Sequence, residues 1–200
     1  MSGKARFLGA VAVLAFSGAA QGDLVIGWDD LDSKQGLPLD YLGFAWSGDG
    51  AAGGSGDWFT VSVAYINDFY GSSLPEISAP NVASNASGDD DTWVLLGGDY
   101  FLESAFYTVW PNVEELGAPA MRVTGFDDGF LVYDETFVTT EGEWSFADFG
   151  GVVIDELHIS RTTPEPAWWL MDDLTLRPVP GPATVAVLAL AGLFVTRRRK

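Results

Sequence analysis

Short runs of β-branched and aromatic residues, closed off repeatedly by Gly, Asp and Ser, set the limits on what this chain can become. Leu24-Val25-Ile26, Trp58-Phe59-Thr60-Val61-Ser62-Val63 and Trp93-Val94-Leu95-Leu96 are such runs. Met121–Phe126, Leu131–Val138, Val152–Ser160 and Trp168–Leu176 continue the series. Runs of this length bounded by turn residues read as strands with one or both faces buried. Gly97-Gly98, Asp128-Gly129 and Glu141-Gly142 stand between runs as turns, and Asp-Gly suits a two-residue hairpin because both central residues take positive φ. No convincing 3.6-residue apolar period interrupts the pattern. The expected fold is all-β, an antiparallel β-sandwich of the jelly-roll type. Ser47–Gly56 reads as a loop. Tyr65–Asp91, rich in Asn, Ser and Pro, reads as a long irregular connection.

The two ends follow other rules. Lys4 and Arg6 precede the apolar segment Phe7–Phe16, and small residues follow at Ser17, Gly18, Ala19 and Ala20. This is the pattern of a secretory signal peptide, expected to end by residue 22. At the other end, Val179-Pro180-Gly181-Pro182 leads into the apolar run Ala183–Val195, then Thr196 and the basic cluster Arg197-Arg198-Arg199-Lys200. As a helix, that run spans roughly 20 Å, short of the ~30 Å hydrocarbon core, and snorkelling arginines extend its reach. The positive-inside rule keeps the basic cluster cytoplasmic and the body outside.

A proline motif, a short hydrophobic helix and a terminal arginine cluster, in that order, resemble the PEP-CTERM sorting signal. Val179, Pro180, Gly181, Pro182, Arg197, Arg198 and Arg199 carry the resemblance, with Gly181 where the motif has its acidic residue. The resemblance implies an exosortase-type membrane protease as processing partner, the inner membrane as anchor, and a final location at the cell surface or outside it.

The expected division is therefore a signal peptide at 1–22, a sandwich domain at 23–178 and a sorting segment at 179–200. The middle part is long enough for one domain with a full core. It holds all 28 acidic residues against Lys34, Arg122, Arg161 and Arg177, a formal charge of −24. That field repels nucleic acid and anionic membranes and favours divalent cations. The chain has no cysteine, so packing or a metal must do what disulfides do in many exported domains.

A second resemblance covers most of the body. Gly27-Trp28-Asp29-Asp30-Leu31, Tyr41–Trp46, Asn81–Asn85, Phe101–Trp110, Gly125-Phe126 and Trp169–Leu174 look like exported bacterial jelly-roll domains, which are similar to galactose-binding-like sandwiches. The resemblance speaks to fold; function has to be argued from a site.

Two constellations invite chemistry. If the first and last strands pair, Asp29 and Asp30 meet Asp172 and Asp173. Carboxylates with backbone carbonyls suit Ca²⁺, the expected cofactor, which takes six to eight oxygens; the plainer alternative is that each pair ends a strand in solvent. Asp89-Asp90-Asp91 lacks the spacing of a calcium loop. Exposed aromatics stack on sugar rings, and Trp58, Trp93, Trp110, Trp144, Trp168 and Tyr70 are the candidates, against the alternative that the tryptophans fill the core. Neighbours on a strand face opposite ways, so one of Trp168 and Trp169 is expected to be the less buried.

Catalysis has thin support. His158, the only histidine, should face solvent between Leu157 and Ile159, and there is no nucleophile elbow, phosphate loop or zinc spacing. The expected role is an exported surface or matrix protein that binds polysaccharide without catalysis. The alternative is a carbohydrate-active lyase or hydrolase, which a cleft with Tyr or His beside paired carboxylates would favour.

Overall fold

A computed structural model describes residues 22–48, 58–78, 80–88, 91–111, 120–162 and 167–181. The strands are β1 (Leu24–Ile26), β2 (Gln35–Gly36), β3 (Ala45–Trp46), β4 (Trp58–Ser62), β5 (Asn81–Asn85), β6 (Asp91–Val109), β7 (Ala120–Asp127), β8 (Phe130–Val138), β9 (Ser145–Arg161) and β10 (Trp169–Pro178); one helix, α1 (Val63–Tyr70), follows β4 directly. The fold is an all-β antiparallel sandwich. Its ladder runs β2-β4-β5-β10-β6-β9-β7-β8, with β1 on β10 and β3 on β6.

The two longest strands make this possible. The β6–β9 ladder shifts register between Leu95 and Tyr100 and again between Leu102 and Ser104. Gly97, at φ 68°, sits in the first break, where a side chain would be strained. Such irregularities bend and twist a strand, so β6 and β9 carry one ladder around the core. Gly97-Gly98, expected between two strands, therefore lies inside one. Asp128-Gly129 does form the β7–β8 hairpin, with φ of 50° and 76°.

Alternation sorts the core. Trp58 on β4, Ala83 on β5 and Trp169 and Met171 on β10 face the main core with Ile26, Trp28, Val94, Leu102, Leu157 and Ile159. Val61, Val82 and Leu170, from the same three strands, face the other way into a second cluster with Val63, Ile66, Leu74 and Trp110. The strands β4, β5 and β10 are thus buried on both faces, and α1 is the cover.

The segment read as an irregular connection holds α1 and β5. Ser62 caps the helix by accepting from Tyr65 N at 3.2 Å, and Gly71 ends it at φ 66°. Asn67 then clamps the following turn: its Nδ2 donates to Leu74 O at 2.8 Å, and its Oδ1 accepts from Leu74 N at 2.9 Å and Ser72 Oγ at 2.6 Å.

Candidate functional site

The α1 layer creates an aromatic surface. Tyr65 and Phe69, one turn apart, stack with centroids 5.4 Å apart and planes at 28°. Phe69 meets Tyr70 at 4.9 Å, and Tyr70 meets Trp110 edge-on at 5.6 Å. The ladder runs from the second cluster out to Phe69, which is 66% exposed. Lys34 Nζ lies 3.3 Å from the centre of the Tyr65 ring. Trp144 and Trp168, both half-buried, pack against the same cluster; Trp144 Nε1 donates to Pro75 O at 2.7 Å.

The candidate tryptophans divide accordingly. Trp110, Trp144 and Trp168 come together around the α1 layer. Trp93 lies half-buried on the other outer face, across the ladder from His158. Trp58 is 1% exposed, wedged among Trp28, Trp46 and Trp169, so burial removes it from any surface. Trp169 is buried and Trp168 is the less buried of that pair. The residues a tryptophan search overlooks are Tyr65 and Phe69; their i,i+4 spacing after the Ser62 cap was the available signal.

The four aspartates are drawn together in part. Strand β1 pairs with β10, Leu24 opposite Leu176 and Ile26 opposite Leu174. A Cβ placed on Gly27 would lie 3.0 Å from Asp29 Oδ2, 3.0 Å from Ser78 Oγ and 3.3 Å from Asp173 Oδ1. A side chain there would press on these oxygens, which would have to give by a few tenths of an ångström. Trp28 and Asp173 hold left-handed φ of 57° and 50° around this point, a conformation non-glycine residues keep only where the surroundings enforce it. Asp29 Oδ1 accepts from Asn81 N at 3.0 Å. The buried Asn81 Oδ1 has no partner.

Asp30 and Asp172 take other roles. Asp30 accepts from the Tyr41 hydroxyl at 2.6 Å. Asp172 is fully buried under the segment that follows α1, where it accepts from Ser78 N at 3.2 Å, Ser78 Oγ at 3.1 Å and Asp173 N at 2.8 Å. Desolvation pushes its pKa up to about 7, and the neighbouring Asp173 charge adds to the rise. Among the described residues, no group of three or more His, Cys, Asp or Glu is arranged to hold a metal ion.

The opposite outer face is polar. His158 Nδ1 lies 2.8 Å from Asp91 Oδ2 and Nε2 lies 2.7 Å from Glu156 Oε1. Hydrogen bonding to Asp91 raises its pKa most. Glu156 also lines a shallow cleft of about 280 Å³ with Leu95, Asp99 and Asp155. With both ring nitrogens bonded to carboxylates, His158 offers no free nitrogen as a general base.

Val179, Pro180 and Gly181, the described part of the expected sorting motif, follow β10 directly. Val179 N donates to Asp99 O at 3.0 Å, and Pro180 and Gly181 are exposed. Pro182, Arg197, Arg198 and Arg199 lie outside the described residues, as do residues 1–21 of the expected signal peptide. Among the described residues, no helix is long and apolar enough to cross a membrane; the run Ala183–Val195 is not among them.

No protein-family model matches the chain, and no curated protein matches it in sequence. Among solved structures it is similar to a cleaved adhesin domain of Lys-gingipain from Porphyromonas gingivalis, at 10% identity and a TM-score of 0.48, covering 80% of this chain and 100% of that one. It is also similar to a fucose-binding module from Streptococcus pneumoniae, at 15% identity and a TM-score of 0.36 over 46% of this chain and 70% of that one. A third is a family 32 carbohydrate-binding module from C. perfringens NanJ in complex with galactose, at 12% identity and a TM-score of 0.35 over 70% and 97%.

Proposed function

We propose that this chain is an exported β-sandwich protein of the cell surface or extracellular matrix that binds polysaccharide through the aromatic surface on α1. One observation carries the reading. Phe69 stands two-thirds exposed on an aromatic ladder whose inner members are anchored in a buried cluster. A rigid aromatic face of this kind is expensive to leave in water and well suited to the C–H face of a pyranose. The PEP-CTERM-like tail supplies sorting, with an exosortase-type protease and the inner membrane as its partners. Binding is preferred to lyase or hydrolase chemistry because the histidine–carboxylate network on the far face is saturated with internal bonds. The test is affinity electrophoresis of the full chain in gels containing soluble polysaccharides. Retardation that Phe69→Ala abolishes supports the reading; retardation unchanged by Phe69→Ala rules out this surface.

We also infer a Ca²⁺ site beside Gly27. The donor set differs from the four aspartates first expected. Asp29, Asp173 and Ser78 offer oxygens around the missing Gly27 side chain, and Asn81, whose backbone N–H bonds Asp29, carries an orphaned buried carbonyl. Hard oxygen donors of this kind fit Ca²⁺. Bound there, the ion would neutralise carboxylates and join β1, β10 and the segment before β5. At 100 times Kd, such binding adds about 2.7 kcal/mol to stability. Melting in Ca²⁺ should therefore exceed melting in ionic-strength-matched NaCl, and Asp29→Asn with Asp173→Asn should remove the excess. Equal melting in the two salts would leave these residues without a metal.

A further inference from the structure

We propose that the Lys34–Tyr65–Phe69 surface selects an acidic sugar, a uronate residue of the polysaccharide. This rests on polysaccharide binding at the same surface and adds the charge of the ligand.

Cations are scarce on this body, and most of their visible contacts are with its own carboxylates. Arg122 forms a two-pronged pair with Asp134, both bonds 2.7 Å. Arg177 bonds Glu103 at 2.7 Å and lies over Phe101. Lys34 differs. Among the described residues no carboxylate lies within ion-pair distance of its ammonium. The charge sits over the Tyr65 ring instead. A ring face attracts the cation but uses none of its three N–H bonds in the way a carboxylate does. The donors stay available at the edge of the platform.

The position is enforced. Lys34 holds φ 65°, which a lysine keeps only under constraint, and its backbone N–H is tied to Thr60 O at 2.7 Å. Ammonium, Tyr65 and Phe69 therefore form one surface, cation at one end and a two-thirds exposed ring at the other. A pyranose stacked on the rings would bring a C6 carboxylate to the ammonium. A neutral hexose would leave that charge unanswered.

Charge elsewhere opposes this only weakly under ordinary conditions. At 0.15 M salt the screening length is about 8 Å, so distant carboxylates of the −24 body are damped while a contact pair is not. Asp68, exposed on the same helix, makes no ion pair with Lys34 and holds the selectivity to that of one partly exposed charge pair, roughly fivefold.

The experiment compares three polymers with the full chain at 0.15 M NaCl: polygalacturonate, its methyl ester, and polyglutamate. The ester keeps the rings and loses the charge; polyglutamate keeps the charge and lacks the rings. The expected result is polygalacturonate bound roughly fivefold tighter than the ester, with polyglutamate not retained. Lys34→Gln should erase the difference between acid and ester, while Phe69→Ala weakens both sugars. Equal affinity for acid and ester, a preference that survives Lys34→Gln, or equal binding of polyglutamate would overturn the proposal while leaving polysaccharide binding by Phe69 intact. Failure to bind either sugar polymer, beside retardation by another polysaccharide that Phe69→Ala abolishes, would overturn the acidic-sugar proposal alone.

Discussion

Asp172 and Asp134 are both strand carboxylates on outer faces of the sandwich, and their surroundings push them in opposite directions. Asp172 lies under the α1 layer, where lost hydration lifts its pKa to about 7 despite three donors. Asp134 lies on the open face, where the Arg122 hydrogen bonds hold it below the usual carboxylate range. The same contrast separates the aromatics. On the covered face Tyr70 and Trp110 are anchored, while Phe69 and, farther along the same sheet face, Phe146 reach into solvent. On the open face Phe126 meets the His158 ring at 5.2 Å within a polar network. A cover of one eight-residue helix turns a sheet surface into a second core with an aromatic rim.

Removing the cover should have the largest effect. Ile66→Ala empties a fully buried site in the second cluster, and about 2–5 kcal/mol of stability should go with it, read by denaturant titration. Loss well under 1 kcal/mol would mean that α1 rests on the sheet without packing into it.

Asp172→Asn tests the carboxylate beneath. An amide cannot accept at both oxygens, so a donor among Ser78 N, Ser78 Oγ and Asp173 N loses its acceptor, at roughly 1–3 kcal/mol at pH 7. The parent should also show a pH signature. A carboxyl whose folded pKa is raised from 3.8 to about 7 binds more protons folded than unfolded, so stability falls as pH rises across that window. The variant should lose this slope between about pH 4 and 7. A slope that persists unchanged would assign it to the general −24 charge.

Ser62→Ala removes the helix cap and should cost about 1 kcal/mol, checked by the same titration. On the open face, effects should be smaller and differently timed. His158 has a raised pKa, so the stability it confers is complete below pH 6.5 and lost as pH rises through the folded value. Asp91 and Trp93 from β6, Glu156 from β9, and Thr124 and Phe126 from β7 surround it, while Arg122 is engaged by Asp134. His158→Gln should flatten that decline. Arg122→Gln, at an exposed pair, should leave the melting temperature indistinguishable from the parent.

The open face was legible because alternation alone decides it: His158 points out because Leu157 and Ile159 point in. The β1–β10 pairing that gathers Asp29 and Asp173 was legible on another ground, the pairing of first and last strands in a jelly roll. The covered face was not. Val63–Tyr70 is short, with β-branched Val63 and Ile66 and with Asn67 and Asp68, so its propensity argued against a helix. Its stability comes from a cap, an Asn67 clamp and tertiary burial, and the last of these has no local signature. Trp58 was ambiguous for the converse reason, since a strand buried on both faces gives no alternation to read.

One consequence of the β10 position is mechanical. The strand ends at Pro178, and it is bonded to β1, β5 and β6 rather than lying at an edge. A pull on that end cannot peel a single row of bonds in sequence. It must slide β10 lengthwise past its neighbours, loading many bonds at once, and its end is further fastened where Arg177 grips Glu103 and Val179 bonds Asp99. A load applied at that end would therefore be borne along the whole of β10.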